Sequence, residues 1–436
     1  MLKKTLLLAL VISNIVVWTM TSGTSAGAQT VNPRDGETDS VTSSATGYVK
    51  YGDVNMDDTV DSVDLALLKA YLLAKSSTLP NVTAADVTGD GTLDALDYAI
   101  LKKYLLGLIT TLPADSADSS DKILIPHESW TCGMANGIPK PENGVLVFEA
   151  TMKLQNSYDL GKTQYGQRKV LVVQNGSITG NKIQGSVMSG GLDFQLTLSN
   201  GAMEIEQLLV LKANDGSYIY LRSAGTAINQ NDVRMVWDFE APNSSSYNWL
   251  NSGKYAGRRV IDSAAGTMKI SVYDVSGINF TPDSTNSIKV TEPSDVPDQP
   301  WDFRKASSER KGNIFITESV SLGASQSVGA SKKGSRNIIP ITGGTVSGNL
   351  TAKILPAGAD YQNLANPMTI DARYLWQTND GEIIIVRNGG QFGSLVPTFE
   401  VRADSKYSYL NQKLYLSSDP GGGAGGVTIT FYESIK

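Results

Sequence analysis

The chain has 436 residues, 41% of them hydrophobic, and a formal net charge of −6. This length suffices for about three domains, and the modest charge gives no indication of nucleic-acid or membrane-surface binding. The single cysteine, Cys132, and the single histidine, His127, exclude an intrachain disulfide and a Cys/His zinc site.

The N-terminus has the pattern of a secretory signal peptide. Two lysines at positions 3 and 4 precede an apolar run from Leu6 to Trp18, and Ala26-Gly27-Ala28 fits a small-x-small cleavage site. The run is shorter than the ~20 residues of a membrane-spanning helix. We therefore expect a signal peptide at 1–28, a secreted protein with no membrane attachment after its removal, and a flexible Ser/Thr/Gly-rich spacer at 29–47.

Two acidic loops of twelve residues begin at Asp53 and Asp86, 33 positions apart, and each precedes an apolar helical pattern. Oxygen-bearing side chains fall at loop positions 1, 3, 5, 9 and 12, with a backbone carbonyl at position 7, which is the calcium spacing of an EF-hand. Because Thr88 is a neutral ligand at position 3, the second site is expected to be the weaker. The ligands predicted for two Ca²⁺ ions are Asp53, Asn55, Asp57, Thr59, Asp61 and Asp64 in the first loop and Asp86, Thr88, Asp90, Thr92, Asp94 and Asp97 in the second.

Residues 48–113 resemble a type I dockerin, the module that fixes secreted enzymes onto a cellulosome scaffold. The resemblance rests on Gly52-Asp53-Val54-Asn55, the paired loops, and the parallel segments 69–73 (KAYLL) and 102–106 (KKYLL). It implies a cohesin domain of a scaffoldin as partner, a cellulosome-associated location, and two binding poses related by a half turn. The residues that it places on the cohesin-binding surface are Ser62, Val63, Lys69, Ala95, Leu96, Lys102 and Lys103.

After a linker and lead-in at 114–142, strand-like runs replace the helical patterns and the chain repeats itself. Asp193 returns as Asp360, Arg222 as Arg387, and Phe239-Glu240 as Phe399-Glu400, at offsets of 167, 165 and 160 residues. A slowly drifting offset indicates one ancestral domain that was copied and then acquired small insertions and deletions. We expect the copies at 143–280 and 313–436, with a Pro-containing linker at 281–312.

The fold class predicted for this part is mainly β. Asn214-Asp215-Gly216 and Asn379-Asp380-Gly381 stand between apolar runs and predict tight hairpins. Many short strands with Gly-rich turns favour an antiparallel β-barrel, because closure removes exposed sheet edges, with a sandwich as the alternative. An eight-stranded barrel can hold one small ligand. The whole chain is thus predicted to carry two tandem barrels and a small all-α module.

The segments Pro340–Thr345, Ala357–Gln362 and Ile370–Tyr374 resemble an uncharacterised bacterial family, domain of unknown function 3237. The resemblance covers about 313–433, and more loosely about 143–277. It implies a barrel like those of allene oxide cyclase and the calycins, without an established activity, and no cofactor is predicted in the barrels.

Repeated polar positions are the functional candidates of the barrels. In the family, the positions of Asp360, Gln362, Asp371 and Arg373 are expected to converge inside the barrel. There a tuned acid can act as a general acid or base, and Asp360 with Asp371 can form a paired-carboxylate glycosidase site. A network that only ties strands together is the alternative. The second copy is favoured, because Arg373 aligns with Leu208. The binding candidates are Gln362, Arg387, Tyr409, Asp193, Gln195, Glu206, Arg222 and Trp249.

Trp249 and Tyr409 match each other and have two interpretations, a sugar-stacking platform or core aromatics at a barrel seam. Three functions therefore stay open. The first is an accessory module that binds plant-wall oligosaccharides or aromatic wall fragments. The second is a carboxylate-based glycoside hydrolase or lyase acting on plant-wall polysaccharide. The third is a structural spacer.

Overall fold

The computed structural model describes residues 50–57, 59–89, 92–110, 112–114, 122–127, 134, 136–227, 233–283, 286–297, 309–423 and 425–435, which all belong to one unit, Val49–Lys436. The expected signal peptide, the 29–47 spacer, Asp90 and Cys132 lie outside the described residues. Within the described part, no helix is both long enough and apolar enough to cross a bilayer.

The acidic loops belong to a small helical module built from α1 (Ser62–Leu72), α2 (Val82–Ala85), a short strand β1 (Thr92–Leu93) and α3 (Ala95–Leu105). The two long helices begin in the same way. Asp61 accepts the amide of Val63 (2.7 Å), and Asp94 accepts that of Leu96 (2.6 Å), so each loop also caps the helix that follows it. The module closes around its own apolar core of nine buried residues, Val54, Leu68, Tyr71, Leu79, Ala85, Val87, Leu93, Leu101 and Leu112, counted within the described chain.

The first repeat forms a closed antiparallel barrel. Its strands run in chain order around the barrel, β5 and β6 share one position between β4 and β7, and β11 pairs with β3 to close it. Buried side chains such as Phe148, Phe239 and Tyr255 fill its interior. The strands are β3 (Val145–Lys162), β4 (Gln167–Thr179), β5 (Gly185–Val187), β6 (Leu192–Thr197), β7 (Met203–Ala213), β8 (Tyr218–Ala227), β9 (Arg234–Glu240), β10 (Tyr255–Asp262) and β11 (Thr267–Asp274).

The second repeat forms a strongly curved antiparallel sheet, a half-barrel, with the order β19-β18-β17-β16-β15-β13-β22-β20. Its two ends meet where the Ser417 amide donates to the Leu395 carbonyl (3.0 Å). The strands are β13 (Arg310–Leu322), β14 (Gln326–Ser331), β15 (Gly334–Gly348), β16 (Ala352–Asn363), β17 (Thr369–Thr378), β18 (Ile383–Gln391), β19 (Val396–Glu400), β20 (Tyr415–Ser417), β21 (Gly421–Gly423) and β22 (Gly426–Ile435).

The predicted mainly-β class is confirmed, and so are the two hairpins. Asn214-Asp215-Gly216 joins β7 to β8, and Asn379-Asp380-Gly381 joins β17 to β18. Gly216 and Gly381 both adopt φ of 91°, a left-handed conformation that glycine takes without strain.

The two repeats pack against each other through the outer faces of their sheets. A shared apolar core contains Val170, Leu192 and Tyr220 from the first repeat and Leu375 and Tyr361 from the second. The rings of Tyr220 and Tyr361 lie 5.2 Å apart across the contact. Side chains that would face water in an isolated barrel are therefore buried between the two repeats.

Reciprocal ion pairs flank this core. Arg168 of the first repeat binds Glu400 of the second (Nε–Oε1 2.8 Å), and Arg336 of the second binds Glu240 of the first (Nη2–Oε1 2.7 Å). A hydroxyl completes each pair, because Thr163 donates to Glu400 (2.6 Å) and Ser331 to Glu240 (2.7 Å). The repeats are thus arranged with approximate two-fold symmetry within one chain.

The lead-in segment and the segment after the first barrel form a two-stranded parallel sheet of β2 (Ile123–Ile125) and β12 (Ser287–Lys289). The buried His127 lies just beyond it, with Nε2 2.5 Å from Glu204 and Nδ1 3.6 Å from Glu292. Burial lowers its pKa, but the hydrogen bond and charge of Glu204 and the charge of Glu292 outweigh burial and raise the pKa above 6.5. Because its two nitrogens face different carboxylates, a protonated ring can link Glu204 to Glu292.

The helical module also touches the first barrel. Its strand β1 runs parallel to β10, with Thr92 opposite Ile261 and Leu93 opposite Asp262. Among the described residues, the barrel sheet therefore has ten strands, and one of them is β1 from the second acidic loop.

The Arg336→Ala variant tests how far the ion pairs hold the repeats together. The change leaves Glu240, whose side chain is 3% exposed, without its guanidinium partner. Removing one member of a buried pair typically costs about 3–5 kcal/mol, so we expect a clearly lower urea midpoint for the barrels.

The matched control is Lys413→Ala, which breaks an exposed pair with Glu433. Exposed pairs contribute about 1 kcal/mol or less, so its urea midpoint should stay near that of the wild type. Equal midpoints for the two variants would show that the Arg336–Glu240 pair does not stabilise the contact.

Candidate functional site

The acidic loops bury the acids at their two ends, while the predicted ligands between these ends in the first loop are partly or fully exposed. Asp53, Asp64, Asp86 and Asp97, at the first and last loop positions, are all 5% exposed or less. Asp64 reaches back across its loop, where Oδ1 accepts the amides of Val54 (2.8 Å) and residue 55 (3.0 Å). The last acid of the loop therefore closes it from the helix side.

At the inner positions of the first loop, side-chain oxygens accept hydrogen bonds from backbone amides two residues further along the chain. Asn55 Oδ1 accepts the amide of Asp57 (3.0 Å), and Asp57 Oδ1 accepts the amide of Thr59 (2.8 Å). The hydrogen bonds from the Thr59 side chain and backbone lower the pKa of Asp57. The fully exposed Asp57 therefore stays ionised, as a cation ligand must.

The second loop has the same plan with one substitution. The Thr88 hydroxyl lies between Asp86 Oδ1 (3.1 Å) and Asp97 Oδ1 (2.9 Å), so this neutral residue sits inside the cluster of acids. An all-oxygen donor set suits a hard cation such as Ca²⁺. The residues present fit calcium; Asp90 is the one predicted ligand outside the described residues.

The predicted partner-binding residues all lie on the exposed surface of the module: Ser62, Val63, Lys69, Ala95, Leu96, Lys102 and Lys103. Val63 is 50% exposed and Leu96 is 47% exposed. The structure adds Leu73 (56% exposed) and Leu106 (63%), which the sequence reasoning did not select. The signal was available, because Leu73 follows Lys69 by four residues and so shares its helix face.

In the barrels, the expected convergence of Asp360, Gln362, Asp371 and Arg373 is wrong. Asp360 pairs across strands with Ala372, and both line a cavity inside the second repeat together with Gln362. Successive residues of a strand point to opposite faces, so Asp371 and Arg373 point to the outer face. They do not form a paired-carboxylate site with Asp360.

Asp371 and Arg373 instead belong to a charge network between the repeats. Arg373 binds Asp371 (Nε–Oδ1 2.9 Å) and reaches across to Glu206 of the first repeat (Nη1–Oε2 2.7 Å). Arg222 holds the other oxygen of Glu206 (2.9 Å), and Arg387 holds Asp371 (3.1 Å). These contacts give the four repeated charges, together with the unrepeated Arg373, a role in joining the repeats.

The guanidinium groups keep both acids of this network ionised. Burial alone would raise the pKa of Glu206, but Arg373 and Arg222 lower it to about 2. Arg373 and Arg387 likewise overcome burial and hold the pKa of Asp371 far below its usual range. Neither acid can therefore donate a proton near neutral pH.

The cavity of the second repeat has a volume of about 140 Å³. Its wall is mostly apolar, with Ile341, Ile370, Leu395 and Ile429 among the lining residues. Asp360 is the acid in this wall. Its Oδ2 accepts the amide of Gln362 (2.7 Å), while Oδ1 is buried without a hydrogen-bond partner among the described residues.

Burial raises the pKa of Asp360 to about 7, more strongly than the Gln362 hydrogen bond lowers it. A carboxyl group with such a pKa is present in both protonation states at neutral pH. It can donate a hydrogen bond to a ligand when protonated and accept one when ionised.

A second acid stands behind the cavity wall. Tyr374 lines the cavity and donates its hydroxyl to Glu318 Oε1 (2.6 Å), while Trp376 donates to Oε2 (3.2 Å). Glu318 is fully buried, and burial raises its pKa to about 7. Glu318 and Tyr374 were not selected from the sequence, because the first repeat has Ala150 and Leu209 at the matching positions and gave no repeated polar signal.

The matching acid of the first repeat has a different environment. Asp193 accepts from Gln195 (3.0 Å) and Gln207 (2.5 Å), and Arg259 lies 3.6 Å away. Large apolar side chains fill the barrel around it. Asp193 is therefore a satisfied core residue, whereas Asp360 faces a cavity.

Trp249 and Tyr409 lie in short 3₁₀ turns, Asn248–Asn251 and Ser408–Asn411. Both are half-buried and pack against the cores of their repeats. Lys182 stands 5.5 Å from the Trp249 ring, and Lys413 stands 5.8 Å from that of Tyr409. These contacts favour the core interpretation over an open stacking platform.

The fold and its sites define a two-part protein, in which a helical module with paired all-oxygen cation loops is joined to a tandem β-barrel body. Comparison with known families agrees with both parts. The model of the family described as "Protein of unknown function (DUF3237)" matches residues 143–276 and 311–394, half of the chain, and the chain belongs to this family. Residues 51–106 match the dockerin type I domain.

Individual relatives cover single parts of the chain. A UPF0311 protein of Bradyrhizobium diazoefficiens is 33% identical, over 24% of this chain and 83% of its own length. A UPF0311 protein of Clostridium acetobutylicum is 28% identical, over 20% of this chain and about half (55%) of its own length.

Two solved structures are also similar to parts of the chain. A conserved protein of unknown function from Rhodopseudomonas palustris is 26% identical, with a TM-score of 0.26, over 28% of this chain and 95% of its own. A chain from a cohesin–dockerin complex of Acetivibrio cellulolyticus is 33% identical, with a TM-score of 0.16, over 16% of this chain and 99% of its own.

The raised pKa of Glu318 leads to a pH-dependent stability. Its folded-state pKa of about 7 lies above the ordinary 4.5, so the protonated acid stabilises the fold fully below pH 4.5. This contribution is lost as the pH rises through 7. We expect Glu318→Gln to lose less thermal stability than the wild type between pH 5 and pH 8, as measured by melting temperatures across this range.

Asp360 also has a raised pKa. Melting temperatures of Asp360→Asn and of the double variant Glu318→Gln with Asp360→Asn, measured over the same pH range, separate the contributions of the two acids. If the melting temperatures of Glu318→Gln and wild type fall in parallel with pH, Glu318 does not titrate in this range.

Proposed function

We propose that the protein is a secreted cellulosome subunit whose dockerin binds a scaffoldin cohesin when both loops hold Ca²⁺. The support is the dockerin match at 51–106 and the buried all-oxygen loops. Exposed apolar residues at equivalent positions, Val63 with Leu96 and Leu73 with Leu106, supply a symmetric contact surface. The signal-peptide pattern at 1–28 supports export.

For the barrels, we propose a binding function at the cavity of the second repeat. One observation carries it: Asp360, whose buried Oδ1 has no hydrogen-bond partner among the described residues, lines an apolar space of about 140 Å³. An apolar cavity of roughly 150 Å³ holds a benzene-sized molecule. A ring-sized ligand with one hydrogen-bonding group would satisfy Asp360 and fill the space.

This geometry supports aromatic wall fragments over oligosaccharides as the cavity ligand. Each sugar ring carries several hydroxyl groups that need partners when buried. The cavity wall offers few polar groups, chiefly Asp360, Gln362, Tyr374 and Asn388. The barrels would then act as an accessory binding module during plant polysaccharide degradation.

The alternative is a carboxylate-based enzyme acting on O-glycosyl bonds of plant-wall polysaccharide. The pKa of about 7 at Asp360 favours it, since a general acid or base works best near its own pKa. A second carboxylate on the same face, needed for glycoside hydrolysis, would have to be Glu318 rather than Asp371.

Calcium dependence tests the anchoring proposal. Full-length protein should bind an immobilised type I cohesin in millimolar Ca²⁺ and lose that binding in excess chelator, because metal-binding energy is folding energy in such loops. Asp53→Ala with Asp86→Ala should abolish binding and reduce the helical circular dichroism signal. Asp159→Ala, an exposed barrel acid, is the control and should bind normally.

Undiminished cohesin binding in chelator would refute the calcium requirement. Helical signal retained in the double variant would show that the module folds without metal.

A ligand screen tests the cavity proposal. Full-length protein is titrated with small phenols and phenolic acids by calorimetry, and is incubated with wall polysaccharides to detect new reducing ends. Phenol binding that weakens about tenfold in Asp360→Asn, without turnover, supports the binding function; one lost charge-assisted hydrogen bond is worth about 1.5–3 kcal/mol.

Asp371→Asn serves as the control, because Asp371 lies outside the cavity. Turnover that disappears in Asp360→Asn but persists in Asp371→Asn would support the enzyme instead. Neither binding nor turnover would contradict both proposals and leave a structural spacer.

A further inference from the structure

A second cleft lies on the outside of the first barrel, where the β14–β15 turn of the second repeat meets β8, β9 and β10. It has a volume of about 400 Å³ and is separate from the Asp360 cavity. Both repeats contribute to it, so it exists only because they pack together. Among the lining residues are Arg222, Asp238, Lys254, Lys332 and Lys333.

Positive charge exceeds negative charge in this cleft. Asp238 is the one acid among the lining residues that the structure describes, and it binds both Lys332 (Nζ–Oδ1 2.6 Å) and Lys333. Burial favours its neutral form, but the two lysines lower its pKa, so it stays ionised. Arg222 is held by Glu206, which is itself shared with Arg373. Among the described lining residues, four are cationic and one, Asp238, is a carboxylate.

The excess charge is not required by the packing of the repeats. Thr163 and Ser331 occupy equivalent places, since each donates to the glutamate of the other repeat. Counting onward from them, Gln164 and Tyr165 match Lys332 and Lys333. The symmetry-related region therefore joins the repeats without a lysine pair.

The cleft is also bordered by two buried core aromatics, Trp237 (3% exposed) and Tyr255 (1% exposed). The buried Nε1 of Trp237 has no hydrogen-bond partner among the described residues. Pockets of ~300–1,000 Å³ suit small organic ligands, so this cleft is much larger than an inorganic anion requires. The surrounding cations suit a ligand that carries a carboxylate.

We propose that this cleft binds the carboxylated sugar units of an acidic oligosaccharide, with Lys332, Lys333 and Lys254 contacting the carboxylate. The choice of a sugar rests on the proposed role in plant-wall degradation, whereas the choice of an anion rests on the charges alone. This site is independent of Asp360.

The test is calorimetric titration of full-length protein, at fixed Ca²⁺, with trigalacturonate, with neutral xylotriose and with inorganic phosphate. We expect trigalacturonate to bind and the other two to bind at least tenfold more weakly. Lys332→Ala with Lys333→Ala should weaken trigalacturonate binding about tenfold or more, because charge-assisted hydrogen bonds are lost.

The matched control is Lys406→Ala with Lys413→Ala. It removes two lysines that pair with Asp380 and Glu433, so the change in net charge is the same. Its affinity for trigalacturonate should stay within about twofold of wild type. An equal loss in both double variants would mean that only net charge matters, and would overturn the site.

Two further variants separate ligand binding from support of Asp238. Asp238→Asn removes the one acid of the cleft, so we expect tighter binding of trigalacturonate, and weaker binding would overturn the proposal. Lys254→Ala changes an exposed residue and should weaken binding in a protein with unchanged melting temperature. Phosphate or xylotriose binding as tight as that of trigalacturonate would overturn the carboxylated-sugar assignment.

Discussion

The buried contact between the two repeats is the constraint on which the barrel body depends. Its shared apolar core covers the outer faces of both sheets, and reciprocal Arg–Glu pairs border it. A charge buried in this way is tolerated only with its partner in place. Each repeat therefore supplies the counter-charge that the other one needs, and neither is complete alone.

The two repeats share a fold, but their interiors differ. In the first repeat, the acid Asp193 is surrounded by Gln195, Gln207 and Arg259, and apolar side chains fill the barrel. In the second, the matching Asp360 lines a cavity, and its Oδ1 has no hydrogen-bond partner among the described residues. The two interiors thus differ, while the reciprocal Arg–Glu pairs on the outer faces remain alike.

The sequence predicted the elements that depend on local chemistry. Asn-Asp-Gly turns, strand periodicity and the drifting repeat gave the hairpins and the mainly-β class, because each is encoded within a few residues. The loop spacing of the dockerin was visible for the same reason. These features do not depend on how distant strands align.

The barrel site was harder to predict because it depends on strand register. Asp360 and Asp371 lie on neighbouring strands, and the pairing of β16 with β17 shifts between Ile354 and Gly358. That shift decides which side chains share a face, and no sequence pattern shows it. Glu318 and Tyr374 were missed because a search for repeated polar positions finds only what the two copies have in common.

The parallel pairing of β1 with β10 has a mechanical consequence for docking. Thr92 belongs at once to a metal loop and to a barrel sheet, so the module is not a plug on a loose tether at this point. If a partner grips the module in either of two poses related by a half turn, the barrels must swing around with it. Choosing a pose would then select which side of the barrels faces away from the partner.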